Sequence, residues 1–303
     1  MREVRIPAYA KVNLRLEILG KRADGYHELR TIFQSVSLHD NLVFRPARAT
    51  GISLQIRGNQ ALSQEGVEKN LVYRAVVALQ RELKIRAGVE IILQKNIPAG
   101  RGLGGGSSDA AAALLGYLQF TRRRIEPVKL LAIAAGLGAD VPFFLFGGRA
   151  LGVGKGDEIY PLPEQKKRSL LIVSPKEIHV PTPDAYRWLN APELASLTKV
   201  ETNHKLFRFC ALCWSAQEES LSNDFEAAVF QRHPRLAQIK RELLRRGASE
   251  ALLAGSGSAV FGVFPSPAKA RRAVVGFPHD QTFVCETLSR ARYQRLTKGV
   301  WSG

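Results

Sequence analysis

Two short stretches of this sequence carry residues suited to moving a phosphoryl group onto an alcohol. Lys11 and Asn13 sit two apart in "AKVNL", so on a strand they point to one face. Asp140 falls in "GLGADVPFF", just past a helical segment and beside apolar residues. A carboxylate can orient or deprotonate a hydroxyl, and an ammonium can stabilise the developing negative charge. On the residues alone nothing brings the two together. A solvated lysine and a helix-terminating aspartate remain the plainer reading.

A third stretch, "NIPAGRGLGGGSSDAAAALL", points to an anion. Five glycines between Gly100 and Gly106 are more than a tight turn needs. Glycine permits positive φ and close backbone approach, so successive N–H groups can face one concavity. The alanine-rich segment that follows should be a helix starting near Ser107, with Ser108 or Asp109 as N-cap. Its N-terminus adds unsatisfied N–H groups and partial positive charge. Ser107 and Ser108 could donate to phosphate oxygens or help hold a metal. Gly100, Gly102 and Gly105 satisfy G-x-G-x-x-G, but the dinucleotide setting is missing. Asn96 to Ala99 separate strand from loop, no βαβ rhythm precedes it, and "TRRRIEPV" stands where an acidic strand end belongs. No lysine follows the glycines, which excludes a Walker A loop.

The elements that must position these residues read as mixed strands and helices. "AKVNLRLEILG" alternates Val12, Leu14, Leu16 and Ile18 with polar residues, the period of a strand. "RTIFQSVSL" and "DNLVFRP" read as two more strands, joined by "LHD". "EKNLVYRAVVALQRELKI" has helical spacing, and "GVEIILQKNIP" is a strand stopped at Pro98. "EPVKLLAIAAGLG" is a helix with Pro127 at its start and Gly136 near its end. "GGRALGVGKGDEIYPL" is strand, turn and strand. The polar, basic "LPEQKKR" looks like a boundary. Beyond it come "SLLIVSP", the helical "NDFEAAVFQRHPRLAQIKRELLRRG", the strand-turn-strand "ALLAGSGSAVFGVF", helical "PAKARRAVVGF" and a last strand "QTFVCETL". Runs of both kinds without strict alternation imply α+β in two domains, 1–160 and 161–303.

Composition narrows the classes. A chain of 303 residues can build two cores. Lys and Arg number 44 against 27 Asp and Glu, a net charge of +17 that favours anionic ligands. The basic clusters "TRRRIE", "EQKKRS" and "KRELLRRGA" are short and lack interleaved aromatics, so a phosphate-rich small substrate is favoured over nucleic acid. No apolar run is long enough for a membrane span. With no leader-like stretch at the N-terminus, the expectation is a cytoplasmic protein that binds neither membrane nor nucleic acid. Three cysteines make no disulfide framework. The C-x-x-C of Cys210 and Cys213 reads as two core thiols, since nothing completes a metal or redox site.

"PAGRGLGGGSSDAAAAL" resembles the ATP-phosphate loop of the galactokinase, homoserine kinase, mevalonate kinase and phosphomevalonate kinase (GHMP) superfamily. "LLAGSGSAVFG", Leu252 to Gly262, resembles its glycine-rich C-terminal motif. The opening, "PAYAKVNLRLEILGKRADGYHELRTIFQSVSL", is more specific. With "GADVPFFL", "VPTPDAY" and "NDFEAAVF" in order, it is similar to the branch whose acceptor is 4-diphosphocytidyl-2-C-methyl-D-erythritol. The resemblance implies a two-domain GHMP-kinase fold. An N-terminal ATP-binding α+β domain and a C-terminal ferredoxin-like α/β sandwich would flank a cleft.

The resemblance also implies roles. ATP, with Mg²⁺, would give its γ-phosphoryl to the acceptor's 2-hydroxyl, with Asp140 as base and Lys11 as electrostatic partner. Asn70, Leu71 and Lys95 would line the adenine pocket. Pro98, Ala99, Gly100, Arg101, Gly102, Leu103, Gly104, Gly105 and Gly106, with Ser107 and Ser108, would form the phosphate loop. Asn13 and Thr182 would hold the methylerythritol unit. Tyr26 would stack on cytosine, His27 would hydrogen-bond it, and Tyr186 would close its other face. Metal ligands are not implied, and a monomer or weak homodimer is expected. Arg101 departs from the usual small residue and could reach a phosphate or point to solvent. The basic tail "RARYQRLTKGVWSG" matches nothing in the pattern. Another GHMP kinase, acting on mevalonate or homoserine, has no base to sandwich, so "DGYHEL" and "VPTPDAY" speak against it. A nucleic-acid module built on the fold would not need Lys11 and Asp140.

Overall fold

Two long strands make the frame that carries the site. In the computed structural model β1 (Val4–Lys21) pairs antiparallel with β2 (His27–Pro46), from Val4 opposite Phe44 to Lys21 opposite His27. The turn between them contains Gly25 at φ +82, a conformation that favours glycine. The structure describes residues 2–193, apart from 48, 65 and 87, and residues 221–297. The Cys210–Cys213 pair lies outside the described residues.

The first sheet adds β3 (Ile52–Arg57), β4 (Val89–Gln94), β5 (Arg149–Val153), β6 (Glu158–Pro161) and, from the second half, β8 (Ser222–Asn223). Its main order is β3-β4-β2-β1-β8, with β5 and β6 branching from β2. The helices α1 (Gln60–Gln64), α2 (Leu71–Leu83), α3 (Gly105–Thr121), α4 (Pro127–Leu137) and α5 (Val141–Phe146) belong to this half. A core built from Phe44, Val76, Leu79, Leu114, Tyr117 and Phe143 joins α2 to α5 to the sheet. The alanines of α3 allow close approach. At Gly116 even a Cβ would come within 2.3 Å of the Phe44 ring.

The second half holds β7 (Ser169–Ser174), α6 (Thr182–Leu189), α7 (Phe225–Arg232), α8 (Pro234–Arg245), β9 (Glu250–Leu253), β10 (Val260–Phe264), α9 (Pro267–Ala273), β11 (Gln281–Glu286) and α10 (Arg290–Thr297). Its sheet runs β11-β7-β10-β9, every pair antiparallel. One face packs on α6 to α9 through Leu171, Val173, Ile239 and Leu243. The other packs on the first sheet, where Val12, Leu14 and Ile32 meet Leu170, Ile172 and Phe261. Burial on both sides explains why β1 keeps its polar residues inside: Lys11, Asn13 and Arg15 are all buried.

Several expectations change. "LHD" is no connection, because β2 runs straight through it. Asp40 is fully buried there and accepts from the N–H groups of Asn96 and Ile97. β3 and β4 are parallel and joined through α2, so a βαβ unit does precede the glycine loop. It went unseen because "ISLQIR" exposes every second side chain on an edge strand. The helix after the loop begins at Gly105, with Gly104 as N-cap, not at Ser107 or Ser108. Helix α4 does have Pro127 at its start and Gly136 near its end, with Gly138 as the cap. The basic stretch that matched nothing in the pattern forms α10, Arg290–Thr297, with Tyr293 buried against the first half.

Candidate active site

The floor of the cleft is β1. The Lys11 ammonium is 4% exposed, donates to Asn13 Oδ1 at 2.7 Å, and lies 5.4 Å from the centre of the Phe33 ring. The Asn13 amide donates to Thr31 Oγ1 at 2.7 Å, and that hydroxyl donates to the Arg15 carbonyl. This chain fixes which way each group faces. Asp140 enters from the start of α5, where Pro142 in the first turn suits the helix. Its side chain makes no cap hydrogen bond and is 31% exposed. The Asp140 Oδ2 to Lys11 Nζ distance is 3.4 Å. The fold thus joins the two residues that the sequence left apart.

The glycine loop crosses above this pair. Gly100, Gly102 and Gly104 have φ of +66, +78 and +71. The need for glycine is plain at Gly104, where a Cβ would sit 2.7 Å from Phe144 Cζ and 3.1 Å from Lys11 Cγ. The Lys11 N–H also donates to the Leu103 carbonyl at 3.0 Å, tying loop to strand. No side chain caps the start of α3, so its first N–H groups are oriented for an anion. Ser107 lines the cleft beside them.

Three polar residues at or beside the loop have partners of their own. The Ser108 hydroxyl is buried and donates to the Tyr9 carbonyl at 2.6 Å, so it anchors α3 instead of facing a phosphate. The Lys95 ammonium is enclosed between Asp40 and Asp109 beneath Gly105, turned from the cleft. Burial opposes its charge, but Asp109 and Asp40 outweigh this and hold its pKa above the ordinary value. Burial also pushes the Asp109 carboxyl well up, against the pull of Lys95. As a side chain, Lys95 is a strut under the loop. Arg101 lines the cleft and is held across to the second half, donating to Ser258 Oγ at 2.7 Å and to the Lys176 carbonyl at 3.1 Å. Asn70 caps α2 through Val72 N–H, and Leu71 lines the cleft.

The opposite wall is the second glycine turn. A Cβ on Gly102 would lie 1.8 Å from the Ala254 carbonyl oxygen, so the two loops touch backbone to backbone. The Asn223 amide holds the turn by donating to the carbonyls of Leu253 and Gly255. Thr182 Oγ1 and Ser256 Oγ are 3.0 Å apart at the rim.

Aromatic rings close the far end. His27 and Tyr186 stack at 4.4 Å and 22°, while Tyr26 lies under the Lys155 ammonium at 4.6 Å and is 58% exposed. The structure pairs Tyr186 with His27, where the sequence placed it opposite Tyr26. Phe225 backs Tyr186 edge-on. Burial and then the charge of Lys21 lower the His27 pKa, against Glu193. Burial, with the Asp140 charge, raises that of the Tyr186 phenol. The cleft measures about 1100 Å³, at the upper end for ligand sites and roomy enough for two polyphosphates. Ser256, Lys155 and His179 line it too. Neither Lys155 nor His179 carries a motif in the sequence, whereas Ser256 sits inside "AGSGS".

This geometry fits one class, a small-molecule kinase: a glycine loop runs into a helix N-terminus, with a lysine–carboxylate pair at the loop's end. The GHMP kinases N terminal domain model matches residues 70–148, and the GHMP kinases C terminal model matches 209–278. The 4-diphosphocytidyl-2-C-methyl-D-erythritol kinase of Solibacter usitatus is 44% identical over 99% of this chain and 94% of its own length. A crystal structure of 4-(cytidine 5'-diphospho)-2C-methyl-D-erythritol kinase superposes with TM-score 0.75 at 34% identity, covering 94% of this chain and 99% of the other. Homoserine kinase from Cytophaga hutchinsonii shares the fold (TM-score 0.67, 20% identity, 94% and 95% covered). The chain belongs to the 4-diphosphocytidyl-2-C-methyl-D-erythritol kinase family of the GHMP kinases. Its architecture is the two-domain α+β GHMP fold.

Proposed function

We propose that the protein transfers the γ-phosphoryl of ATP to the 2-hydroxyl of 4-diphosphocytidyl-2-C-methyl-D-erythritol, a step toward isoprenoid precursors. The observation that carries this reading is the Lys11–Asp140 pair at 3.4 Å beneath the glycine loop. Asp140 takes the proton of the attacking hydroxyl, and Lys11 stabilises the oxygen as it becomes an alkoxide and then a phosphoester. Held by Asn13, the ammonium keeps its direction, so it is preorganised for the transition state. The loop's N–H groups and Ser107 receive the triphosphate, and Thr182 with Asn13 receives the methylerythritol unit. His27, Tyr26 and Tyr186 read the cytosine.

No cluster of three His, Cys, Asp or Glu side chains among the described residues forms a protein metal cage. That suits Mg²⁺, which keeps waters and binds through substrate phosphates with one or two protein oxygens. Ser107 and Asp140 offer such oxygens at the cleft. When bound, the ion neutralises charge on the phosphates. The second half of the cleft favours a base-bearing acceptor over mevalonate or homoserine, because its aromatic end needs a flat ring to cover. An ATP-consumption assay with the three acceptors in parallel tests the reading. Turnover with the cytidyl compound alone is expected. Turnover with mevalonate or homoserine, and none with the cytidyl compound, overturns it.

A further inference from the structure

The C-terminal helix α10 has no part in the site as described, yet it touches both elements that carry the Lys11–Asp140 pair. Tyr293, 2% exposed, is the point of contact. Its ring lies 5.6 Å from that of Tyr9, two residues before Lys11 on β1. Its hydroxyl donates to the Phe144 carbonyl, in the last turn of α5, at 2.7 Å. Asp140 is at the other end of this six-residue helix. The Tyr293 ring also fills the space over Gly147, where a Cβ would approach it to 2.2 Å.

The rest of the segment is pinned to the same frame. Leu288 N–H donates to the Ser35 carbonyl at 2.8 Å, and the Gln34 amide donates to the Leu288 carbonyl at 2.9 Å. The Arg290 guanidinium reaches the Arg149 carbonyl at 2.7 Å. A six-residue helix is too short to hold its own orientation. Its last carbonyls lack intrahelical donors, so an outside donor fixes both its position and its tilt.

We infer that Tyr293 is a positioning residue for phosphoryl transfer, a strut that sets the distance between the strand of Lys11 and the helix of Asp140. It touches no ligand and acts through α5 and Tyr9. The inference rests on the roles proposed above for Lys11 and Asp140. A shift of about 1 Å between reacting groups can cost on the order of a hundredfold in rate, so a small loosening should reach kcat before it reaches binding.

The test uses the whole chain. Tyr293→Phe keeps the ring and removes one hydrogen bond, and Tyr293→Leu removes the ring contact with Tyr9. Both should lower kcat by threefold or more, with KM for ATP and acceptor within twofold of wild type. Arg295→Ala, exposed on the same helix, should leave kcat unchanged. In an Asp140→Asn background the Tyr293→Phe penalty should vanish, because the carboxylate it positions is gone. A kcat loss under threefold overturns the inference. So does KM moving with kcat, a similar loss in Arg295→Ala, or a penalty that survives in Asp140→Asn. If Tyr293→Leu does not fold, Tyr293→Phe decides alone. Near-full activity of Asp140→Asn itself would instead mark failure of the proposed base, a result separable from the others.

Discussion

Asp140 and Lys11 come from opposite ends of the first domain and meet at 3.4 Å, one largely buried and the other 31% exposed. The asymmetry suits their proposed work. The ammonium is fixed from below by Asn13, while the carboxylate keeps a face open toward the cleft.

Replacing that carboxylate by an amide should remove the base. Asp140→Asn loses no cap bond but takes the counter-charge from the buried Lys11, whose ammonium keeps its bond to Asn13, so a modest fall in melting temperature with an intact fold is expected. Its kcat should fall by about 10²- to 10⁴-fold. Steady-state kinetics beside a thermal melt decide the matter, and a loss under tenfold with an intact fold contradicts the base assignment.

Tyr186→Ala should act on one substrate only. Ring stacking on a base is worth about 1–3 kcal/mol, roughly 5- to 150-fold in affinity. KM for the cytidyl acceptor should rise by that factor while KM for ATP holds. Equal rises in both would place Tyr186 in general domain packing.

His27 should stay neutral at pH 7. Its pKa is lowered by burial and Lys21, so as pH falls through about 6.5 the unfolded chain takes the proton first. The stability of the neutral, stacked ring is therefore present above that pH and is lost as pH falls toward the depressed value. The His27 ring resonance should titrate below 6.5 by NMR, and acceptor KM should climb over the same range. A midpoint above 6.5 would reverse the sign.

Lys95→Met should test the strut under the loop. It leaves Asp40 and Asp109 enclosed without their counter-charge, and breaking such a pair costs about 3–5 kcal/mol. Urea denaturation should show that loss. A variant with unchanged stability and only a higher KM for ATP would return Lys95 to the role of a nucleotide contact.

Gly102→Ala should fail for two reasons at once. A residue at φ +78 is strained by roughly 1–3 kcal/mol, and the added methyl meets the Ala254 carbonyl. Loss of stability together with a higher KM for ATP is expected from a melt and from kinetics. A stable variant with normal kinetics would mean that the loops do not need their contact.

Elements with internal periodicity were legible. The helical spacing of α2 and the strand-turn-strand at "AGSGS" stand where the residues put them, and the glycine loop does run into a helix, which takes in Gly105 and Gly106. What the sequence hid was partnership across the chain. Asp40 looked like a turn residue because its acceptors' partners, Asn96 and Ile97, lie far along the chain. Ser108, Lys95 and Arg101 are polar residues beside a ligand loop, the composition of direct contacts. Each is instead committed to a distant backbone or side-chain group. Tyr293 gave no signal at all, since its partners are a main-chain carbonyl and the space above a glycine. The Lys11–Asp140 pairing became readable only through family resemblance, because its cause is tertiary.

The meeting of Gly102 with Ala254 also has a mechanical meaning. Two backbones in direct touch leave no side chain that could rotate aside, so this seam yields only if whole loops separate. The far rim is made differently: Tyr26, 58% exposed, and Lys155 are side chains at the cleft edge, free of any such backbone seam. The cleft thus has one end closed by backbone and the other edged by side chains, so a change of shape at the aromatic end costs rotamers where one at the glycine end would cost backbone.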